Sequence, residues 1–310
     1  MNAIEIKGLN KHFGRKHAVS NLNMTVPQGA IYGFIGENGS GKSTTEKMLC
    51  GLIQKDGGSI KLFGRDYTNP DVRSKIGVLI EAPGCFPNIS VWNNMLIQAA
   101  NLCIENPKQE ISRVLKLVHM EGAASNKFKN CSLGMKQRIG IAMALLGDPG
   151  DPALLVLDEP INGLDADGMR IMREVLTDLT QNHGCTVLIS SHILGELEKI
   201  ATHYGIIRKG RMIAEMTAEE LERDCRTYIA LKTRDMHSAY RILQSRYERV
   251  DEDEADWLRI YDMTTPEDAV QFLYQNGITV SEIKTAKISL EEYYIDLMHK
   301  EGKAYDAYKR

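Results

Sequence analysis

Mostly apolar runs of four to six residues punctuate the first 200 residues of the chain and predict the strands of a buried sheet. These runs lie at 30–35, 76–80, 154–157 and 186–190. They are too short for helices, and the uninterrupted apolar run at 154–157 is typical of a central parallel strand. Alternating apolar positions predict a half-buried strand at Ile4 and Ile6, with further strands at 22–26 and 57–62.

From 90 to 146 the pattern changes to helical periodicity with few strand signals. Prolines and Gly84 interrupt regular structure just before this stretch. Helices are predicted at 91–102, at 107–118 and after Ser132. The sequence therefore predicts a helical insert at about 84–150.

After residue 220 short strands and helices alternate in a different pattern. Strands are predicted at 228–232, 257–260 and 278–283, and helices at 236–245, after Thr265 and after Ser289. Ser289 and Glu292 form a capping box for the last helix. We expect a small α+β domain at 221–310, separate from a larger domain at 1–220. The acidic run at 251–254 is interpreted as a solvated loop.

Composition limits the function without selecting one. The 310 residues carry a formal net charge of -3, and the hydrophobic share of 43% is ordinary. No basic field favours nucleic acid, so no nucleic-acid partner is expected. The six cysteines are scattered without a C-x-x-C pair, which is typical of reduced thiols in a cytosolic protein. Neither a signal peptide nor a membrane-spanning apolar run is apparent, so another polypeptide is expected to supply any membrane part.

Residues 36–44 read GENGSGKST and match the phosphate-binding pattern G-x-x-x-x-G-K-[ST] in full. A predicted strand precedes the loop and a helical pattern follows it, which disfavours a chance glycine-rich turn. The glycines let successive N–H groups point inward, and the helix adds its positive end, so the main chain binds a polyphosphate. Lys42 is expected to reach the outer phosphates and Ser43 to ligate Mg²⁺. The predicted loop consists of Gly36, Glu37, Asn38, Gly39, Ser40, Gly41, Lys42, Ser43 and Thr44.

Polar residues follow the predicted strands at the sheet edge where ligands bind in α/β proteins. Asp158 and Glu159 end one strand, and His192 follows another. Asp158 suits a Mg²⁺ site, and Glu159 suits a base that orients and deprotonates water. A lone Asp-Glu pair is usually a solvated strand end, but the neighbouring phosphate loop favours catalysis. Phe13 has two interpretations, a core residue or an aromatic that stacks on a purine.

Together with CSLGMKQR at 131–138, these residues resemble the nucleotide-binding subunits of ATP-binding cassette (ABC) transporters over roughly residues 3–220. Six motifs occur in the family's order: GENGSGKST, the strand-end Glu81, CSLGMKQR, LLVLDEP, NGLD at 162–165 and His192. The resemblance implies a phosphate-loop α/β fold with a RecA-like sheet core, an antiparallel β subdomain and a helical insert. It also implies an ATPase that uses ATP and Mg²⁺ to drive transport.

The resemblance also implies roles for single residues. Phe13 falls at the position of the aromatic that stacks on adenine, which favours nucleotide binding over the core interpretation. The implied catalytic residues are Glu159, His192 and Lys42, and the implied metal ligands are Ser43, Asp158 and Glu81. Ser132 and Gly134 fall in the signature segment, which caps the γ-phosphate of ATP bound to a second subunit.

The implied partners are a separate transmembrane permease and a second copy of the chain or a related cassette, so that two subunits sandwich two ATP molecules. The implied location is cytoplasmic, on the inner face of the cell membrane. The segments IGVLIEAPGCFPNISVWNNM, SLGMKQR and LDEPINGLDADG are most similar to bacterial exporters of peptide antibiotics, of the bacitracin-resistance and lantibiotic-immunity type.

Two motifs depart from the family pattern. Leu133 and Met135 alter the usual signature LSGGQ, and Leu133 is expected to change how closely the backbone approaches phosphate. Glu81 replaces the usual glutamine; a carboxylate also ligates Mg²⁺, but its charge changes affinity and coupling.

Other functions remain open from the sequence. The main alternative is a soluble cassette ATPase that acts on ribosomes, DNA or cofactor assembly without a permease. Ribosomal members usually carry two cassettes and DNA-repair members long coiled coils, and this chain has neither pattern. Glu159 and His192 disfavour a nucleotide switch with little hydrolysis, and the signature segment disfavours a plain kinase or GTPase. For 221–310 the only hypothesis is a regulatory or docking role.

Overall fold

The computed structural model describes residues 1–147, 153–224, 227–252, 257–261, 264–295 and 297–298. The chain divides into two compact units, Met1–Ala218 and Glu219–Arg310. The phosphate loop, the strand-end carboxylates and the signature segment all lie in the first unit. Among the described residues, no helix has both the length and the apolar character needed to cross a bilayer.

A six-stranded sheet forms the centre of the larger unit. Across the sheet, its strands are β10 (Arg211–Thr217), β9 (His203–Arg208), β3 (Ile31–Ile35), β8 (Thr186–Ser191), β7 (Leu154–Asp158) and β6 (Ile76–Leu79). Neighbours pair in parallel except β9 and β10, which are antiparallel. Every residue of β3, β7 and β8 is buried, as their apolar runs predict. The parallel order brings the ends of β3, β7 and β8 to one edge of the sheet.

An antiparallel sheet of four strands completes the β structure of this unit. Its order is β2 (Lys16–Pro27), β1 (Asn2–Phe13), β4 (Gly57–Leu62) and β5 (Arg65–Asp66). β1 and β2 extend beyond the residues that the alternating pattern predicts. Register shifts, for example between Ile6 and Leu9, interrupt the alternation of apolar and polar residues while the strands continue. A bulge adds a residue to one strand and so breaks the period of two.

Helices flank these sheets and form the insert. They are α1 (Lys42–Leu49), α2 (Pro70–Arg73), α3 (Val91–Asn101), α4 (Pro107–Leu117), α5 (Leu133–Ala144), α6 (Ala166–His183) and α7 (Leu194–Leu197). Ser90 caps α3 and Ser132 caps α5, each by accepting a hydrogen bond from a first-turn amide. Gly51 follows α1 with a positive φ of 68°, the left-handed conformation that commonly ends a helix. Of the predicted insert, residues 148–150 lie outside the described part of the chain.

The smaller unit follows the order strand, helix, strand, strand, helix, strand, after α8 (Ala218–Asp224). Its elements are β11 (Thr227–Thr233), α9 (Met236–Gln244), β12 (Val250–Glu252), β13 (Leu258–Ile260), α10 (Pro266–Gln275) and β14 (Val280–Lys287). The sheet order β12-β13-β11-β14 is antiparallel throughout and is that of a ferredoxin-like α+β fold. Leu231, Leu243, Leu258 and Leu273 are fully buried in its core. The Ser289–Glu292 capping box forms with both reciprocal bonds.

The interpretation of 251–254 as a loop is wrong for its first two residues. Asp251 and Glu252 belong to β12, while 253 and 254 lie outside the described residues. Val250 is buried in the core, and Asp251 is paired with Arg259 across the strands. Charge alone therefore misled the prediction, because an edge strand needs only one apolar side chain facing the core and tolerates charges elsewhere.

Candidate functional site

The phosphate loop joins β3 to α1 and depends on close backbone packing. Gly39 and Gly41 have positive φ values of 78° and 115°, where a side chain is strained. A Cβ at Gly36 would lie 2.5 Å from the Ile207 carbonyl oxygen, and one at Gly41 would lie 2.7 Å from that of Ala18. Glycine is therefore required here by the neighbouring strands as well as by the curl of the loop.

Lys42 is the only lysine among the described residues that is buried, with 5% of its surface exposed. Its ammonium group donates to the carbonyl oxygens of Gly36 at 2.5 Å and Glu37 at 3.3 Å, and lies 3.8 Å from the Glu159 carboxylate. The cation is thus held against the inside of the loop. A phosphate bound by the loop amides would meet this charge in a poorly hydrated position, where its attraction is strong.

The register of β7 and β8 sets the position of the two carboxylates. Asp158 pairs with Ser190 in the parallel ladder, and the Ser190 hydroxyl donates to the Asp158 carboxylate at 2.8 Å. Asp158 is buried, with 6% of its surface exposed. Glu159 follows with a φ of 51°, and its amide donates to the Ser190 carbonyl oxygen at 3.2 Å. This turn directs successive carboxylates to different surroundings.

Glu159 lies between two nitrogen groups. One carboxylate oxygen is 3.8 Å from the Lys42 ammonium group, and the other is 2.6 Å from Nδ1 of His192. The Glu159 side chain is 23% exposed and that of His192 is 47% exposed, so water reaches both. A carboxylate held from two sides and open to solvent has the geometry to accept a proton from a nearby water.

Lys42, Asp158 and Glu159 line one cavity of about 370 Å³ at the mouth of the phosphate loop, whereas His192 is not among its lining residues. The lining residues are Phe13, Lys16, Ala18, Asn38, Gly39, Gly41, Lys42, Ser43, Thr44, Asp158 and Glu159. The structure thus brings most of the predicted nucleotide residues together, and it adds Lys16 and Ala18 from β2. Phe13 is 51% exposed, so its interpretation as a core residue is wrong.

The cavity offers donors that suit a magnesium ion. The Ser43 hydroxyl and the Asp158 carboxylate are hard oxygen ligands, of the kind that Mg²⁺ uses beside nucleotide phosphates. Glu81 does not line this cavity. Its carboxylate is 2.6 Å from the Lys47 ammonium group, whose hydrogen bond lowers the pKa of Glu81. The metal role of Glu81 stays a prediction that requires it to leave Lys47.

The signature segment lies elsewhere on the same unit. Ser132 is exposed, and its hydroxyl accepts from the Met135 amide at 3.2 Å at the start of α5. Leu133 packs so closely on Gly163 that a Cβ there would clash with it. The signature and NGLD segments are therefore in contact. Neither Ser132 nor Gly134 lines the cavity of its own chain.

Glu46, on the buried side of α1, was not predicted to belong to the site. Glu46 is 0% exposed, and among the residues that the structure describes neither carboxylate oxygen has a partner at hydrogen-bond geometry. Burial, and next the charge of Asp158, raise the pKa of Glu46 well above 4.5. The sequence contained one signal for Glu46. It lies on the same helix face as Leu49, three residues later, at a position that an apolar side chain would normally occupy.

Replacing Glu46 with glutamine is expected to stabilise the protein without nucleotide or Mg²⁺, increasingly as the pH rises. The pKa of Glu46 is higher in the folded than in the unfolded chain. The wild-type protein is therefore unaffected by Glu46 ionisation below the unfolded-state pKa of 4.5, and it loses free energy of unfolding as the pH rises from there towards the folded-state pKa. We expect the melting temperature of the variant to exceed that of wild type by a few degrees near pH 8, since each kcal/mol is worth about 2–4 °C.

Differential scanning calorimetry between pH 5 and 8 in a chelating buffer measures this difference. The exposed carboxylate of Glu174 provides the matched control Glu174→Gln, which should show no pH-dependent gain. A melting-temperature difference that stays constant with pH would contradict the claim that ionisation of the buried Glu46 carboxylate destabilises the wild-type protein.

Known proteins match this chain along most of its length. Residues 19–162 match the ABC transporter family. The chain is 36% identical over 300 residues to the bacitracin transport ATP-binding protein BcrA of Bacillus licheniformis. This alignment covers 95% of this chain and 97% of that protein. It is 41% identical over 212 residues to the lantibiotic transport ATP-binding protein SrtF of Streptococcus pyogenes, covering 68% and 90%.

A solved structure shares the fold of most of this chain. The cbiO1 protein of Clostridium perfringens, part of the ABC transporter complex cbiONQ, superposes with a TM-score of 0.63 at 25% identity. The alignment covers 71% of this chain and 90% of that one. These matches confirm the fold class and the family expected from the motifs. The chain belongs to the ATP-binding proteins of ABC transporters, a family of ATPases that couple ATP hydrolysis to transport.

Proposed function

We propose that this ATPase powers a separate membrane permease that exports peptide antibiotics and so protects the cell from them. The observation that carries this proposal is the length of the match to the bacitracin transport protein, which extends over 300 residues and therefore through most of the smaller unit. The match to the lantibiotic transport protein supports the same cargo class. The chain would then work on the inner, cytoplasmic face of the cell membrane.

The residues in and beside the cavity support separate roles in nucleotide binding, metal binding and hydrolysis. The loop amides and Lys42 bind the polyphosphate, while the exposed Phe13 stacks on the adenine. Ser43 and Asp158 would hold Mg²⁺, which neutralises charge on the phosphates. Glu159 orients the attacking water and takes its proton, and His192, 2.6 Å away, fixes the orientation of that carboxylate.

A second copy of the chain, or a related cassette, would complete each site. Ser132 is an exposed N-cap of α5, whose amide end attracts anions, and it lies outside the cavity of its own chain. We propose that Ser132 and Gly134 contact the γ-phosphate of ATP held by the partner. Two sites then form around a two-fold axis, and ATP closes the dimer.

A groove of about 360 Å³ between β6 and the helical insert supports a permease contact. Leu52 and Leu102 line it and are 60% and 47% exposed. Residues on both sides of Glu81 also line the groove. We propose that a short apolar helix of the permease occupies it. Such a helix would contact the loop that carries Glu81, so that movements at the nucleotide site could be transmitted to the permease.

Replacing Leu102 with glutamate is expected to abolish transport-dependent resistance while leaving the ATPase activity of the isolated chain within about twofold. A charge in the groove opposes apolar docking without reaching the cavity. ATP hydrolysis in solution and antibiotic resistance in cells measure the two effects. The neighbouring exposed Asn101 gives the matched control Asn101→Glu, which should retain resistance. Full resistance with Leu102→Glu would remove the groove from the permease contact.

The function itself is tested by disrupting the gene in its source organism. We expect the minimum inhibitory concentration of bacitracin or of a lantibiotic to fall several-fold, and to recover with wild type but not with Glu159→Gln. An unchanged susceptibility to both classes, together with recovery of the tagged protein on ribosomes instead of membranes, would favour the alternative of a cassette ATPase without a permease.

A further inference from the structure

A polar cluster lies directly behind Phe13, at the end of β1. Asp56, the residue before β4, accepts a hydrogen bond from the Lys11 ammonium group at 2.8 Å and from the His12 backbone amide at 2.6 Å. Its second oxygen is also 3.2 Å from Nδ1 of His12, and its own amide donates to the Asn10 carbonyl oxygen at 2.9 Å. One carboxylate thus fixes the two residues that precede Phe13.

Lys11 links this cluster to the aromatic ring. Its ammonium group lies 5.4 Å from the centroid of the Phe13 ring, within the range of a cation–π contact. The Lys11 side chain is only 13% exposed, whereas Phe13 is half exposed and lines the nucleotide cavity. The cation is therefore held close to a ring that stays half exposed at the nucleotide cavity, where a flat ligand can reach it.

The ion pair is too exposed to matter much for folding. The Asp56 side chain is 37% exposed, and surface pairs of this kind contribute little to stability. The hydrogen bonds from Lys11 and from the His12 amide lower the pKa of Asp56 to about 2, so the carboxylate keeps its charge at any physiological pH. Its main physical effect is to restrict the orientation of the end of β1.

We propose that Asp56 is a positioning residue for nucleotide recognition, which sets the orientation of the Phe13 ring through Lys11 and the backbone of His12. A ring held in place before binding loses less conformational freedom when the purine stacks on it, so affinity for the base rises. The inference rests on the stacking role proposed for Phe13, and it adds Asp56 and Lys11 as determinants of purine affinity.

The test compares the binding of ATP with that of inorganic tripolyphosphate, which lacks a base. Asp56→Asn is expected to weaken ATP binding about 3- to 10-fold, the size of a lost cation–π or stacking contact, and to leave tripolyphosphate binding unchanged. The KM for ATP should rise by the same factor at an unchanged kcat. Lys11→Gln should weaken ATP binding in the same direction and keeps the carboxylate in place if Asp56→Asn folds poorly.

A double-mutant cycle separates positioning from general loss of structure. In a Phe13→Ala background, which alone should weaken ATP binding about 10-fold, Asp56→Asn is expected to have no further effect. Asp66→Asn, which removes another exposed carboxylate of the same sheet, serves as the matched control and should leave ATP affinity unchanged.

Four outcomes would overturn the inference. Equal weakening of ATP binding and tripolyphosphate binding would show that Asp56 affects phosphate binding and not the base. Full additivity of Asp56→Asn with Phe13→Ala would show that Asp56 does not act through the Phe13 ring. An unchanged ATP affinity in Asp56→Asn, with a clear loss in Phe13→Ala, would refute the positioning role and leave the stacking role intact. An unchanged ATP affinity in Phe13→Ala would refute both.

Discussion

Replacing Glu159 with glutamine is expected to slow ATP hydrolysis by at least about 10²-fold while ATP still binds, because the amide cannot take a proton from water. The substitution preserves the shape of the side chain between Lys42 and His192, and it removes a negative charge that lies 3.8 Å from the Lys42 ammonium group. ATP that is bound but not hydrolysed should hold two chains together. Single-turnover hydrolysis and size-exclusion chromatography with ATP and Mg²⁺ measure these effects.

The control for this experiment is Glu174→Gln, on the exposed side of α6, where the lost carboxylate pairs with Arg170. This variant should hydrolyse ATP at the wild-type rate and dimerise no more than wild type. Adding Ser132→Glu to Glu159→Gln should abolish the ATP-dependent dimer, since a second negative charge would face the γ-phosphate. Unchanged turnover in Glu159→Gln would remove Glu159 from the role of base.

Replacing Lys42 with alanine is expected to weaken ATP binding by at least about 10²-fold, the equivalent of roughly 3 kcal/mol for a charged hydrogen bond in a buried position. Lys42 is nearly buried and donates to two carbonyl oxygens of its own loop, so its loss also removes the group that holds Gly36 and Glu37. Isothermal titration with ATP and with tripolyphosphate should show the same loss, because the missing contact is to phosphate.

Lys42→Met separates the charge from the packing, since it keeps an unbranched side chain in the loop but cannot donate. It should bind ATP as poorly as Lys42→Ala while unfolding at a temperature closer to wild type. The exposed Lys199, which pairs with Glu196, gives the control Lys199→Ala with unchanged ATP affinity. Tight ATP binding by either Lys42 variant would contradict the phosphate cradle.

Features that depend on neighbouring residues in the sequence were predictable. Ser132 caps α5, Gly51 ends α1, and Ser289 with Glu292 forms a capping box, because each uses hydrogen bonds or dihedral angles within a few residues. The buried strands were predictable for the same reason, since an apolar run carries its own signal. By contrast, β9 and β10 were not predicted, although the run at 204–207 in β9 is mostly apolar and buried.

Contacts between distant residues were predictable only where a general rule joins them. Parallel strands end at one edge, and that rule was enough to expect Asp158, Glu159 and His192 together. No such rule couples Lys47 to Glu81 or Asp56 to Lys11, because those pairs depend on the lengths of intervening loops and on side-chain orientation.

The sequence by itself therefore determined the phosphate loop, its strand and helix, the strand-end acids and the family to which they belong. Tertiary structure alone decided that Phe13 is exposed, that the Ser190 hydroxyl donates to Asp158, and that Glu46 is fully buried. The difference has a physical cause. A backbone conformation is chosen by a few adjacent residues, whereas burial and pairing are set by which distant segments fill the space around a side chain.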